Sequence, residues 1–180
     1  MTRPSLLLFC LAAWMGAPAA RADVPGLPVE ADRCAIAYAL TGRALPGCRL
    51  PDLPTAPTRS AGGEAGYFVQ FEFDSGRLTP VAQAHLARLS DLLNDRLSGL
   101  CVRLVGHTDT VGAALYNQAL STRRARAARL YMAGPGRVDA SRLSVQGRGE
   151  AAPLPGIPGT DGRNRRVEIL ARESAGTSCS

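Results

Sequence analysis

Lysine is absent from the 180 residues, so every fixed positive charge on a side chain is an arginine. This reflects composition, and no mechanism is drawn from it. Histidine is scarce as well, with His85 and His107 the only two. One histidine and one aspartate lie together at 107–109, but no second histidine stands at ligand spacing. With neither a CxxC pair nor a Cys/His cluster, the residue pattern of a zinc or other metal site is missing. His107 and Asp109 resemble an acid–base pair, yet no nucleophile sits in a recognised elbow, and Ser121 and Ser141 lack motif context. These gaps argue against an enzyme and against a bound cofactor. The sequence also lacks an internal repeat and, beyond its N-terminal stretch, any further long apolar run.

What is present begins with an export signal. A basic start (MTR), the apolar stretch LLLFCLAAWMGAPAA and the small-x-small triplet Ala20-Arg21-Ala22 read as a secretory signal peptide over 1–22, cut after Ala22. The apolar stretch, about 15 residues, falls short of the roughly 20 needed to span a bilayer. Export moves the chain to an oxidising compartment, where Cys34, Cys48, Cys101 and Cys179 are an even set of disulfide candidates. Cys34–Cys48 closes a short local loop and is the first choice. By elimination Cys101 then meets Cys179. Losing Arg3 and Arg21 with the leader takes the net charge from +6 to +4, a mild basic balance that favours an anionic polymer without identifying one.

Residues 23–62 are rich in Pro, Gly, Ala and Thr and read as a linker carrying a disulfide-closed knob, with one short helix inside DRCAIAYALTGRALPGC. Composition changes at Gly66, and a folded domain is expected over 63–173, followed by a tail at 174–180. YFVQFEF (67–73) alternates as a strand. Thr79-Pro80 opens a helix whose apolar stripe is Ala82, Leu86, Leu89, Leu93 and Leu97. LCVRLVG (100–106) is a second strand, and a helix from about 113 to 132 stops at Gly134-Pro135-Gly136. Short strands near 142–147 and 165–171 flank the loop AAPLPGIPGTDG. The order β-α-β-α-β-β predicts a two-layer α/β sandwich with the helices on one face of a mixed sheet.

The chemistry concentrates in GHTDTVGAALYNQALSTRRARAARLYM (106–132). Arg123, Arg124, Arg126 and Arg129 spread around the helix instead of forming one stripe, so a nucleic-acid partner is not expected, and all but Arg124 read as solvated surface. Positions seven apart lie within about 20° of each other on a helix, which places Asn117 and Arg124 on one face with Ser121 between. Asp109 lies in the loop leading to that helix. A carboxylate and a guanidinium close together suit an amino-acid zwitterion: Asp109 takes the ammonium and Arg124 grips the carboxylate. A second arrangement fits the spacing equally well, in which Asp109 caps the helix and bridges to Arg124.

The stretch GHTD–G–YN–LS–RRA, with FEFDSGRLTPVAQAHL (71–86), RLSVQGRGEAAP (142–153) and NRRVEI (164–169) in order around it, closely resembles the OmpA-like C-terminal domain family over about 67–171. The resemblance implies non-covalent peptidoglycan binding in the periplasm of Gram-negative bacteria, by capture of the diaminopimelate of the stem peptide. It assigns ligand contacts to Asp109, Asn117, Arg124 and Arg165, with Thr110 contributing through its backbone or hydroxyl and Ser75 at the rim. His107 and Thr108 shape the loop. The segment GIPGTDGRNRR is shorter and richer in Pro and Gly than the family's. The partners expected are peptidoglycan, an outer-membrane or periplasmic protein held through 23–62, and a second copy of the chain. The alternative function is an envelope assembly subunit that binds a protein through 23–62.

Overall fold

The computed structural model describes residues 26–28, 30–49, 64–174 and 179; the expected signal peptide and residues 50–63 lie outside them. The elements are helix α1 (Arg33–Thr41), strand β1 (Ala65–Gln70), helix α2 (Pro80–Asp95), strand β2 (Leu100–Gly106), helix α3 (Ala114–Ala133), strand β3 (Leu143–Gly147) and strand β4 (Arg166–Glu173). The strands form one mixed sheet in the order β1-β4-β2-β3. β2 and β3 run parallel through the α3 crossover, whereas β4 is antiparallel to both β1 and β2. α1 packs on β1 and β4, α3 packs on β2 and β3, and α2 lies against both helices. The expected α/β arrangement therefore stands, with α1 added to its helical layer.

Local chemistry explains the boundaries. Thr79 caps α2 by accepting the Ala82 amide at 3.1 Å, and Pro80 fills the first position, a cap worth about 1 kcal/mol. Ala82, Leu86, Leu89, Leu93 and Leu97 are all buried, Leu97 just beyond the helix. The open carbonyls at that end are collected by Arg142, which donates to Leu93, Leu97 and Leu100 at 2.7–3.0 Å. β1 is displaced from its expected span: it begins at Ala65 and ends at Gln70 because the chain turns at Phe73-Asp74, Asp74 taking φ +49°. Phe71 still donates its amide to Arg165 O at 2.8 Å.

α3 approaches the sheet closely. A Cβ on Gly106 would stand 1.9 Å from the Ser121 carbonyl oxygen, and one on Gly147 would stand 2.1 Å from Thr122 Oγ1. Its buried face is mostly polar up to Arg124 (Asn117, Ser121 and Arg124, with Leu120 among them) and apolar beyond (Ala125, Ala128, Met132). One helix thus presents a site at one end and core at the other.

The short helix expected within the linker 23–62 is α1, and it packs on the core. Asp32 caps this helix at its start and Gly42 ends it at φ +68°. Ile36, Ala37, Ala39 and Leu40 are buried in the main core with Tyr67, Leu89 and Ile169. A helix that buries four apolar side chains is part of the domain. Cys34 pairs with Cys48 and Cys101 with Cys179, the two bridges expected.

Candidate functional site

The strand register brings the ends of β1, β2 and β3 and the start of β4 to one end of the sheet. The loops 71–78, 107–113 and 148–165 meet there, against the first half of α3. Arg124 fastens two of them. It has no exposed surface, and its Nε, Nη1 and Nη2 donate to the carbonyls of Ser75, His107 and Glu72 at 2.8–2.9 Å. Burial, and then the Arg165 guanidinium, lower its pKa, against the opposing charges of Asp109 and Asp74. Arginine remains cationic under such shifts.

Asp109 is paired with Arg165, not with Arg124: Oδ2 lies 3.0 Å from Arg165 Nη1. Its other oxygen accepts the Val111 amide at 3.3 Å. α3 begins behind Ala113 with no side-chain cap, so neither half of the capping-and-bridging arrangement is present. Asn117, also buried, donates from Nδ2 to Glu150 at 2.6 Å and to the Val111 carbonyl at 3.1 Å, tying the 109–111 loop to the helix. Ser121 accepts the Gly149 amide and turns away from the cleft.

The remaining expected contacts sit at the margins. Ser75 gives its carbonyl to Arg124 while its hydroxyl accepts the Arg77 amide, and the exposed rim beside it is formed by Phe73 and Asp74. Thr110 spends its amide on the Gly159 carbonyl at 3.0 Å, and its side chain lies against Gly159. His107 is buried with Nε2 3.2 Å from Glu168 Oε1, off the line of a good hydrogen bond. Burial lowers its pKa, with Glu168 opposing.

Between these groups is a cleft of about 30 Å³, room for about two waters. Asp109, Asn117, Arg124 and Arg165 line it with Thr108, and Phe73, Asp74 and Tyr116 form its outer lip. Tyr116 donates its hydroxyl to Asp74, and Arg165 lies over the Phe73 ring at 5.7 Å. Sequence reasoning missed this lip, although the FEFDSG turn and the Tyr before Asn117 both lay inside motifs it had already singled out. It missed Glu150 as well, for no local pattern ties that residue to Asn117.

A mixed sheet under three helices carries, at one end, a small cleft in which carboxylates and guanidinium groups face one another. Residues 70–166, more than half of the chain, match the OmpA family, and the chain belongs to it. Members of this family bind peptidoglycan and anchor envelope proteins, without enzymatic turnover. Among characterised relatives, outer membrane porin F of Pseudomonas aeruginosa is 33% identical over 137 residues, covering 71% of this chain but 39% of the porin. Two solved structures share the fold. The OmpA-like domain of FopA1 from Francisella tularensis is 25% identical with a TM-score of 0.55, over 61% of this chain and 73% of that one. The peptidoglycan-associated lipoprotein of Burkholderia pseudomallei is 26% identical with a TM-score of 0.52, over 58% and 89%. Among the described residues, no helix is long and apolar enough to cross a membrane.

Proposed function

We propose that this chain is exported to the periplasm and binds peptidoglycan there through the zwitterionic end of the stem-peptide diaminopimelate. The observation that carries the reading is the buried Asp109 carboxylate beside two guanidinium groups in a cleft at the meeting point of three loops. Asp109 takes the ligand ammonium. Arg165 takes the carboxylate, joined by the N–H groups that Arg124 does not spend on backbone carbonyls. Asn117 holds the loop that presents Asp109, while Thr110 and Ser75 act through the backbone at its margins.

The test is co-sedimentation of the mature, oxidised protein with purified sacculi, followed by calorimetry with meso-diaminopimelate. Asp109→Asn is expected to abolish both while the chain still folds cooperatively, with a lowered melt because Arg165 loses its partner. Losses of about 2–5 kcal/mol are expected where one member of a buried charge pair is removed. Full retention by Asp109→Asn would sink the assignment.

The second reading, partner capture through residues 23–62, draws on the exposed edge that α1 and its disulfide loop present beside Arg43 and Ala44. Because α1 belongs to the core, point changes separate the two functions better than a deletion. Arg43→Glu with Ala44→Glu leaves wall binding intact, and a protein partner held there is lost.

A further inference from the structure

The Asp109–Arg165 pair closes the very cleft that a ligand must enter, and its surroundings are arranged around one position of the Arg165 side chain. Asn164, fully buried, pins the turn before it by accepting the Leu154 amide and donating to the Pro158 and Gly159 carbonyls at 2.8–3.2 Å. Asp161 caps the following 3₁₀ turn, Gly162–Asn164. The backbone at 165 is thereby fixed, and only the side chain is left to move. Its guanidinium rests on Gly162: a Cβ there would stand 2.5 Å from Nη2 and 2.8 Å from Nη1. Glycine leaves the seat on which the closed ion pair depends.

The closed arrangement is incomplete. Thr108, which lines the cleft and is 4% exposed, has no partner for its hydroxyl among the described residues, and Arg165 Nε is buried without one among them. Buried polar groups are ordinarily paired with protein or water, so two uncommitted groups on residues lining one small cleft leave hydrogen-bonding capacity for whatever enters it. The exposure of the pair is asymmetric as well, 6% for the Asp109 side chain against 26% for Arg165. Arg165 is the outer, yielding member.

We propose that this ion pair is a selectivity lock, with Arg165 as its bolt and Gly162 as the bolt's seat. The inference rests on the reading of the cleft as a zwitterion site. A ligand bearing an ammonium and a carboxylate on the same carbon exchanges both halves of the pair at once. Its ammonium replaces the guanidinium on Asp109, and its carboxylate replaces Asp109 on Arg165. An amine alone must displace Arg165 and leave that charge unmatched. A carboxylate alone strands Asp109 in the same way. The lock therefore rejects each single-charge ligand by leaving a partly buried charge unpaired, and it lowers apparent affinity by the fraction of molecules held closed.

The experiment is calorimetry of the full oxidised chain with three probes, meso-diaminopimelate, 1,5-diaminopentane and pimelate, against wild type, Gly162→Ala and Arg165→Gln. Gly162 does not have a positive φ, and the clash falls on the far end of a flexible side chain, so Gly162→Ala evicts the guanidinium with the fold retained. Wild type is expected to bind diaminopimelate and neither of the other probes. Gly162→Ala should bind diaminopimelate several-fold tighter, on the order of 3–10-fold for a closed state dominant by that ratio, and should bind the diamine measurably. Arg165→Gln should gain the diamine and lose diaminopimelate. If Gly162→Ala binds diaminopimelate with unchanged affinity and preference over the diamine while Arg165→Gln loses diaminopimelate, the lock is overturned and the zwitterion site stands; if Arg165→Gln also binds unchanged, both the lock and the role of Arg165 in the site are overturned. Should wild type bind neither diaminopimelate nor sacculi, the site reading fails and the lock falls with it.

Discussion

Replacing Arg124 with alanine is the sharpest test of how this site is built, because the side chain does two jobs that other methods would confuse. It is fully buried and donates three hydrogen bonds to the carbonyls of Glu72, Ser75 and His107, which belong to two different loops. A hydrogen bond from a charged donor contributes about 1.5–3 kcal/mol, and a buried acceptor left unmatched costs a similar amount. Three of them do not add fully, since water enters the vacated space and reaches the part-buried carbonyls of Glu72 and Ser75. The expected loss for Arg124→Ala is about 3–5 kcal/mol, a large share of the roughly 5–15 kcal/mol that holds a domain together. Arg124→Lys recovers less than half of it, because a single ammonium cannot reach three divergent carbonyls in the guanidinium plane. The assay is urea denaturation of the oxidised chain followed by far-UV circular dichroism. A loss below about 1 kcal/mol for the alanine variant would refute the claim that Arg124 is a structural clamp. A loss of sacculus binding in this variant therefore reports on folding as much as on ligand contact, and Asp109→Asn is the cleaner probe of binding.

Two further outcomes follow from groups around the site. Glu168 is partly buried, which by itself raises its pKa, but the contacts from His107 and Arg166 outweigh burial and hold it at about 2; burial holds the His107 pKa below its ordinary value. Both groups bind protons more readily when unfolded, so stability falls as pH drops, first below about 6.5 through His107 and then from about 4.5 toward 2 through Glu168. Urea midpoints measured across pH 3–8 check this, and His107→Asn removes the upper step. The two disulfides should differ in worth: closing 78 residues against 14 predicts about 4.5 kcal/mol lost on removing Cys101–Cys179 and about 3 kcal/mol for Cys34–Cys48 on chain-entropy grounds. Paired Cys→Ser variants, compared by their melts, test the ranking.

Much of this fold was legible because its signals are local. Thr79-Pro80 and the stripe from Ala82 to Leu97 specify α2 without reference to anything distant. The seven-residue spacing put Asn117 and Arg124 on one face, and the structure buries both. What escaped were two features made by sequence-distant contact, the seat of α1 and the partner of Asp109, although the Cys101–Cys179 bridge was anticipated from the cysteine count. A Pro/Gly-rich composition hid the fact that α1 buries Ile36 and Leu40 against β1 and α2, because two apolar turns carry meaning only when a sheet is there to receive them. Pairing of Asp109 with Arg165 depends on a strand register 56 residues away. Gly162 looked like one more loop glycine, and its role appears only when the guanidinium resting on it is seen.

The arginines make the same point in chemical terms. On the sequence, four of them in the 123–129 stretch first suggest a surface that follows phosphates, or else simple solvated charge. In the fold, Arg124 holds three carbonyls, and Arg129, read as solvated, donates to the carbonyls of Leu143 and Ala140 at 3.0–3.1 Å. Arg142 gathers three more at the opposite end of the sheet. A guanidinium carries five donors in a rigid plane and suits the divergent carbonyls left open at helix ends and loop crossings. The chain uses arginine in this way as backbone mortar. Once those donors are committed, the free choice of conformation around the cleft narrows to one cation. Arg124 fixes where the 71–78 and 107–113 loops stand, Asn164 fixes the turn before β4, and Arg165, 26% exposed, is the guanidinium in the cleft not held by backbone carbonyls. Selectivity at this site is then a property of that one movable group, which is why exchanging Gly162 beneath it is expected to change what binds without rebuilding the site.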